Sequence, residues 1–384
     1  MSTLPPPADY SPQEFRLKIT DVECLVLDGD YPFVIVSTDE GITGYGECFR
    51  RSPEVSKAAI DTVFRPLVVR KDPFQTEAIF DLMLKAGSVS GPPGALLTAA
   101  SGIDIALWDI KGKALGVPIY ELLGGMRPGR EKVRVYASSL VRDLSPTDEA
   151  KRAADFLENG FTGYKMHSAV PGAIDHPADH TVDSVREMRA AIGNEFDILV
   201  DVNSAYSVHH AIEIGKQLED YGVFHFEEPV ALHDLEGLAR VADALTIPIA
   251  SGENAYNRWM FRDLILRGRP DILQPDVVKI GGISELIKVG HMANAFGVPM
   301  TVHNTQPIIS TAAHLHWIAT RGDVPYAQEY NIEPISIRDE RPILKTPLEV
   351  VDGHIAVPVG PGLGLEFDDE AIRYWADRSG GTSL

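Results

Sequence analysis

At 384 residues and 41.9 kDa the chain exceeds what one hydrophobic core commonly serves, so two or three domains, or a barrel with an addition, are expected. Apolar residues make up 44%, charged 23% and aromatic 8%, a balance that excludes disordered, collagen-like and coiled-coil chains. Thirty-five basic against 55 acidic residues leave a formal charge of −20, which repels nucleic acid and anionic lipid and obliges any carboxylate ligand to find cations placed locally in its pocket.

Cys24 and Cys48 are the only cysteines, which is no disulfide framework. The start, Met1-Ser-Thr-Leu-Pro-Pro-Pro, lacks a basic region followed by an apolar stretch, and no run approaches the roughly eighteen apolar residues of a membrane span. A soluble, cytoplasmic homo-oligomer acting on a small molecule is expected, with neither nucleic acid nor membrane as a partner.

In chain order, residues 15–50 read as strands and turns. Phe33-Val-Ile-Val-Ser-Thr is β-rich, and Asp39-Glu-Gly-Ile-Thr-Gly carries turn glycines before Tyr45-Gly-Glu-Cys, so a meander is predicted. Residues 53–123 turn helical, clearest over 99–115, where apolar residues recur at three and four. After Gly124-Gly-Met-Arg-Pro-Gly a strand followed by a helix repeats. The apolar strand candidates are 133–137, 163–167, 198–202, 223–227, 247–251, 272–276, 298–303 and 325–329, with amphipathic segments between them such as 184–192, 210–218 and 283–296. Eight parallel strands alternating with helices predict an α/β, TIM-type barrel with its active site at the strands' C-terminal ends. The expected division is an α+β block over 1–132, rejoined by the Pro- and Gly-rich tail 341–384, and a barrel over 133–340.

Nearly every predicted strand ends in a residue able to bind a metal or move a proton: Lys165 with His167, Asp201, Glu227 with Glu228, Glu253, Asp276, His303 and Glu329. From Lys165 onward these positions lie 36, 26, 26, 23, 27 and 26 residues apart, about one β/α unit each, so the topology gathers them on one rim. Asp201, Glu227 and Glu253 end consecutive strands and offer three oxygen ligands suited to a hard divalent cation such as Mg²⁺. Any one alone reads more readily as a helix cap or an ion-pair partner, but three at even spacing favour a metal. Glu228, one residue past Glu227, is expected to point to the other side of its strand and to play a supporting or structural part. Asp276 and His303 can form a carboxylate–imidazole pair in which the acid fixes the ring tautomer and makes the histidine a general base. Lys165 and His167, two apart, face the same way with Met166 toward the helices. Glu329 can donate a hydrogen bond to a developing oxyanion if it is held protonated. His209, His210, His225, His233, His291, His314 and His316 read as structural.

These residues, in this order, resemble the mandelate racemase subgroup of the enolase superfamily over most of the chain. The matching stretches are Ser101-Gly-Ile-Asp-Ile-Ala-Leu-Trp-Asp-Ile-Lys-Gly-Lys, Val200-Asp-Val-Asn, Phe226-Glu-Glu-Pro, Ser251-Gly-Glu-Asn, Gln274-Pro-Asp-Val-Val-Lys-Ile-Gly-Gly, Val302-His and Gln328-Glu-Tyr. The resemblance implies an α+β capping domain over a (β/α)₇β barrel, Mg²⁺ on Asp201, Glu227 and Glu253, an Asp276–His303 dyad, and a substrate carboxylate on the metal. It implies specificity from cap loops, here near 28–31 and 49–51. Relatives resembling muconate cycloisomerase carry a lysine where Asp276 stands, which disfavours that class. The pattern departs at Lys165-Met-His: members that use both substrate faces show Lys-x-Lys there. The implied activity is an acid-sugar dehydratase, a hydro-lyase that abstracts the proton α to a carboxylate and expels the β hydroxyl. His303 would be the base, and His303 or His167 the acid. The rivals are an epimerase, racemase or cycloisomerase using His303 and His167 on opposite faces, and a non-catalytic metal-binding barrel.

Overall fold

The computed structural model describes residues 17–88, 91, 93–170, 172–306 and 308–378; the chain's start and its last six residues, on which parts of the reading above fall, lie outside them. The first block opens with an antiparallel meander of β1 (Ile19–Leu27), β2 (Tyr31–Thr38) and β3 (Thr43–Glu47), as the turn glycines predicted. Helices α1 (Pro53–Ala59), α2 (Arg65–Val68), α3 (Thr76–Ser88), α4 (Ala95–Leu115) and α5 (Ile119–Leu122) follow. The backbones of β3 and α4 nearly touch: a Cβ on Gly46 would stand 1.9 Å from the Gly102 carbonyl oxygen, so only glycine permits this packing.

The second block is a (β/α)₇β barrel. Its strands are β4 (Lys132–Ser138), β5 (Gly163–His167), β6 (Asp197–Asp201), β7 (His225–Glu227), β8 (Ile249–Ser251), β9 (Ile272–Leu273), the segment 298–303 and β10 (Gln328–Asn331). Between them run α6 (Pro146–Glu158), α7 (Thr181–Ile192), α8 (Val208–Leu218), α9 (Leu235–Ala244), α10 (Arg258–Asp263), α11 (Ile283–Phe296) and α12 (Ile309–Ala319). Parallel pairing runs from β4 to β9, and β10 closes the ring by pairing with β4. The predicted strand 298–303 forms only a single bridge, Met300 to Leu273. Pro299 has no N–H to give a ladder, and on the β10 side the segment bonds partly to side chains: the Val302 N–H donates to Gln328 Oε1 at 2.8 Å.

Beyond the barrel, β11 (Val350–Val351) and β12 (His354–Ala356) form a hairpin that pairs antiparallel with the start of β4, while α13 (Asp369–Arg378) packs on β1. The first block sits on the mouth through α4. Asp104 accepts from the Ser284 N–H and hydroxyl at 2.9 and 2.6 Å, and the Ser101 hydroxyl accepts from the Gly281 N–H at 2.8 Å. Gly281 and Ser284 follow β9, so these bonds lay the cap against the C-terminal ends of the strands. Among the described residues no helix is long and apolar enough to cross a membrane.

Candidate active site

Strand register sets the site. His167, Asp201 and Glu227 are direct neighbours across β5, β6 and β7, and Glu253 lies two residues past β8. Ligand oxygens of Asp201, Glu227 and Glu253 come within 4.8 Å of one another, and all three residues are buried. Three carboxylates this close in a water-poor pocket repel unless a cation sits among them, and an all-oxygen set of this kind suits a hard divalent ion. The residues fit such an ion.

Lys165 is fully buried and lies 2.9 Å from Glu227, 2.7 Å from Glu329 and 3.6 Å from Asp201. Burial opposes its charge, but these carboxylates outweigh it and keep the ammonium well above the usual lysine range. His167 faces inward beside it, as the alternation predicted, and Met166 turns to the core between strands and helices. The His167 Nδ1 meets the Ser139 carbonyl, which only accepts, so Nδ1 carries a proton there. Nε2 then points toward Asp201 at 2.9 Å.

Across the mouth, His303 Nδ1 lies 2.7 Å from Asp276 Oδ2 and Nε2 lies 2.7 Å from Glu253 Oε2. Burial works against an imidazolium here, yet the charges of Glu253 and Glu329 and the bond to Asp276 hold the ring well above its ordinary range. Glu329 lies between the two sides. The Asn304 N–H and the Ser138 hydroxyl donate to it at 2.6 and 2.7 Å. The expectation of a protonated Glu329 is corrected here: burial favours the neutral acid, but Lys165 and His303 outweigh it and bring the carboxyl down to about 2.

Glu228 also departs from its expected place. Its φ of 42° breaks the strand alternation, and its carboxylate accepts from Asn254 Nδ2 at 3.1 Å within the field of the metal-type triad. Burial, then the charges of Glu253 and Asp201, push it well above the usual range. The structure thus brings every singled-out residue to one rim. Reading the sequence missed Lys279, buried with Nζ 2.8 Å from Asn254 Oδ1 and 4.0 Å from Glu253, although it stands inside the quoted Gln274–Gly282 stretch. It also missed Arg142, which reaches the Ser168 carbonyl and Asn203 from the loop after β4. Of the cap loops, Phe49 comes within 6.3 Å of the His303 ring, centroid to centroid.

Comparison with known proteins identifies the family. Residues 25–124 match the mandelate racemase / muconate lactonizing enzyme N-terminal domain and residues 148–371 the enolase C-terminal domain-like family. The chain is 34% identical over 359 residues to an arabinonate dehydratase of Saccharolobus solfataricus, covering 91% of this chain and 92% of that one. It is 36% identical over 348 residues to a D-galactarolactone cycloisomerase of Agrobacterium fabrum, covering 88% and 89%. A mandelate racemase/muconate lactonizing protein from Paracoccus denitrificans superposes with a TM-score of 0.87 at 31% identity over 94% of this chain and 98% of that one, and has also been solved with magnesium. The chain therefore belongs to the mandelate racemase and muconate lactonizing enzyme family of the enolase superfamily.

Proposed function

We propose that this protein is a Mg²⁺-dependent acid-sugar dehydratase. The observation that carries the reading is the pair of imidazoles on either side of three clustered carboxylates: His303, oriented by Asp276, and His167, oriented by the Ser139 carbonyl, with Nε2 against Glu253 and Asp201 respectively. Asp201, Glu227 and Glu253 would hold Mg²⁺, which when bound would draw off the negative charge that gathers on the substrate carboxylate as the α proton leaves. Bound to the ion, Glu253 would no longer hold a proton on His303 Nε2, so the neutral ring takes the α proton there while Asp276 fixes the proton on Nδ1. Lys165 places a fixed positive charge beside the same carboxylate. Glu329 accepts from Lys165 and keeps it charged and aimed. The electron pair left by the C–H bond first spreads onto the substrate carboxylate and then returns to form the C=C bond as the β C–O bond breaks. The hydroxyl departs as water with a proton from His167 or His303, and the enol tautomerises to a 2-keto-3-deoxy acid. Relatives named arabinonate, D-galactonate and D-xylonate dehydratase, each matching over most of the chain, support this class.

The relative named D-galactarolactone cycloisomerase, together with the inward-facing His167, favours a second reading: proton transfer on opposite faces without loss of water. A panel of mono- and diacid sugars, incubated with Mg²⁺ in D₂O and assayed with semicarbazide, separates the two. Keto-acid formation supports dehydration. Deuterium incorporation with no keto acid favours the alternative, and neither with any panel member defeats both. A cytoplasmic homo-oligomer belongs to the same proposal, with sizing and fractionation as its tests.

A further inference from the structure

The cap is tied to the base-bearing segment by one side chain. Gln306, three residues past His303 and 2% exposed, donates through Nε2 to Glu47 Oε1 at 2.8 Å and to the Cys48 carbonyl at 2.9 Å, and its Oε1 accepts from the Arg50 N–H at 2.5 Å. The other Glu47 oxygen accepts from the Ile309 N–H at 3.2 Å, in the first turn of α12. A single amide thus holds residues 47, 48 and 50. The residue between them, Phe49, has its ring 6.3 Å from that of His303 and is capped on another side by the Lys279 ammonium, 4.6 Å from its centroid.

The barrel end of this tie is equally fixed. The His303 N–H donates to the Pro275 carbonyl at 3.1 Å, the Asn304 N–H to Glu329 at 2.6 Å, and Asn331 Nδ2 to the Thr305 carbonyl at 2.8 Å. Residues 303–306 therefore form a rail bonded at each step. A buried carboxylate met only by neutral donors is an expensive way to join two blocks, and burial pushes Glu47 up to about 7. An apolar contact would hold the blocks together at less cost, but it would not fix the register of the loop to within one hydrogen bond.

We propose that Glu47 and Gln306 are positioning residues for the reaction: their clasp registers the cap loop 48–51 on the His303 rail, so that Phe49 roofs the imidazole and the loop closes over the substrate. The proposal rests on the dehydratase reading for its kinetic consequence but not for its structural one. Kinetics and loop order are therefore measured separately on the full chain.

Hydrogen exchange of the peptide spanning 48–51, followed by mass spectrometry on Gln306→Ala and Glu47→Gln, reads the clasp whatever the substrate. Exchange is expected to speed up at least tenfold in Gln306→Ala, with Mg²⁺ affinity by calorimetry within twofold of wild type. With an acid sugar turned over by the wild type, Gln306→Ala should raise KM about tenfold or more while kcat falls less than threefold. Gln306→Glu sets two carboxylates against each other and should be worse still. Adding Glu47→Gln to it restores a donor and acceptor and should recover most of the loss, a rescue that loss of bulk packing would not give. Unchanged exchange in Gln306→Ala overturns the proposal, as does a kcat loss with KM unchanged or a swap that recovers nothing while folded. A wild type that turns over no acid sugar, with faster exchange in the variants, leaves the clasp standing and removes the dehydratase reading.

Discussion

The Lys165 ammonium and the Glu329 carboxylate meet at 2.7 Å, and neither side chain is reached by solvent. Removing one partner of such a pair strands the other charge, at a cost of about 3–5 kcal/mol. Lys165→Met strands Glu227 and Asp201 as well as Glu329, so it should destabilise more than Glu329→Gln. The double variant should lose less than the sum of the two. Urea unfolding of the three variants measures this, and strictly additive losses would show that the two groups are not coupled.

The three clustered carboxylates should act as one metal site. Asp201→Ala, Glu227→Ala and Glu253→Ala are each expected to abolish turnover and to weaken Mg²⁺ binding by at least a hundredfold. The fold should survive, because a rim residue contributes little to the core. Exhaustive chelation should stop the reaction and Mg²⁺ restore it. Full activity in chelator would sink the metal assignment.

The Asp276–His303 pair should control the first proton transfer. His303→Asn removes the base with little change in volume, so exchange of the substrate α proton into D₂O should vanish. Asp276→Asn leaves a base with the wrong tautomer, and a loss on the order of 10²–10⁴-fold is expected. Persistent exchange in His303→Asn assigns the base to Lys165 or His167.

Much of this site was legible because a β/α unit has a nearly constant length, so regular spacing from Lys165 to Glu329 converts into a shared rim. What the period does not carry is local backbone detail and long-range pairing. Glu228 breaks strand alternation by turning left-handed at φ 42°, which no neighbouring glycine announces. Segment 298–303 looks like a strand by composition, but Pro299 and its side-chain partners reduce it to a single bridge. The charge state of Glu329 depends on a cation 164 positions earlier in the chain, and the Glu47–Gln306 bond spans 259 positions, beyond any sequence pattern.

Cap and barrel also share a buried acid whose cost varies with pH. Burial raises Asp104 from an ordinary 3.8 to about 7, despite the bonds from Ser284. Between those values the folded protein binds a proton that the unfolded chain releases. The contribution is therefore fully present below about pH 4 and is lost as pH rises through about 7. His314 and His316, lowered to about 4 by burial, act in the opposite sense, so the comparison must be against Asp104→Asn. The wild type should lose more thermal stability than this variant between pH 5 and pH 8, by a few degrees in midpoint. Parallel curves would mean that Asp104 does not titrate in this range.

His167 decides between one acid and two. Its Nε2 is directed at Asp201 and its Nδ1 is held by the Ser139 carbonyl, an orientation suited to passing a proton from Nε2 to a hydroxyl leaving on the face opposite His303. If His167 is that acid, His167→Asn should block keto-acid formation while α-proton exchange at His303 continues, because the deprotonated substrate still forms and returns. If His303 serves both steps, elimination on one face should survive in the variant, and His167 is then a hydrogen-bonding contact to substrate. A purely structural histidine predicts a third pattern, in which the midpoint of unfolding drops and exchange and product fall together. Deuterium content and keto acid measured in the same His167→Asn sample distinguish the three: exchange without product supports the acid role, and both retained rejects it.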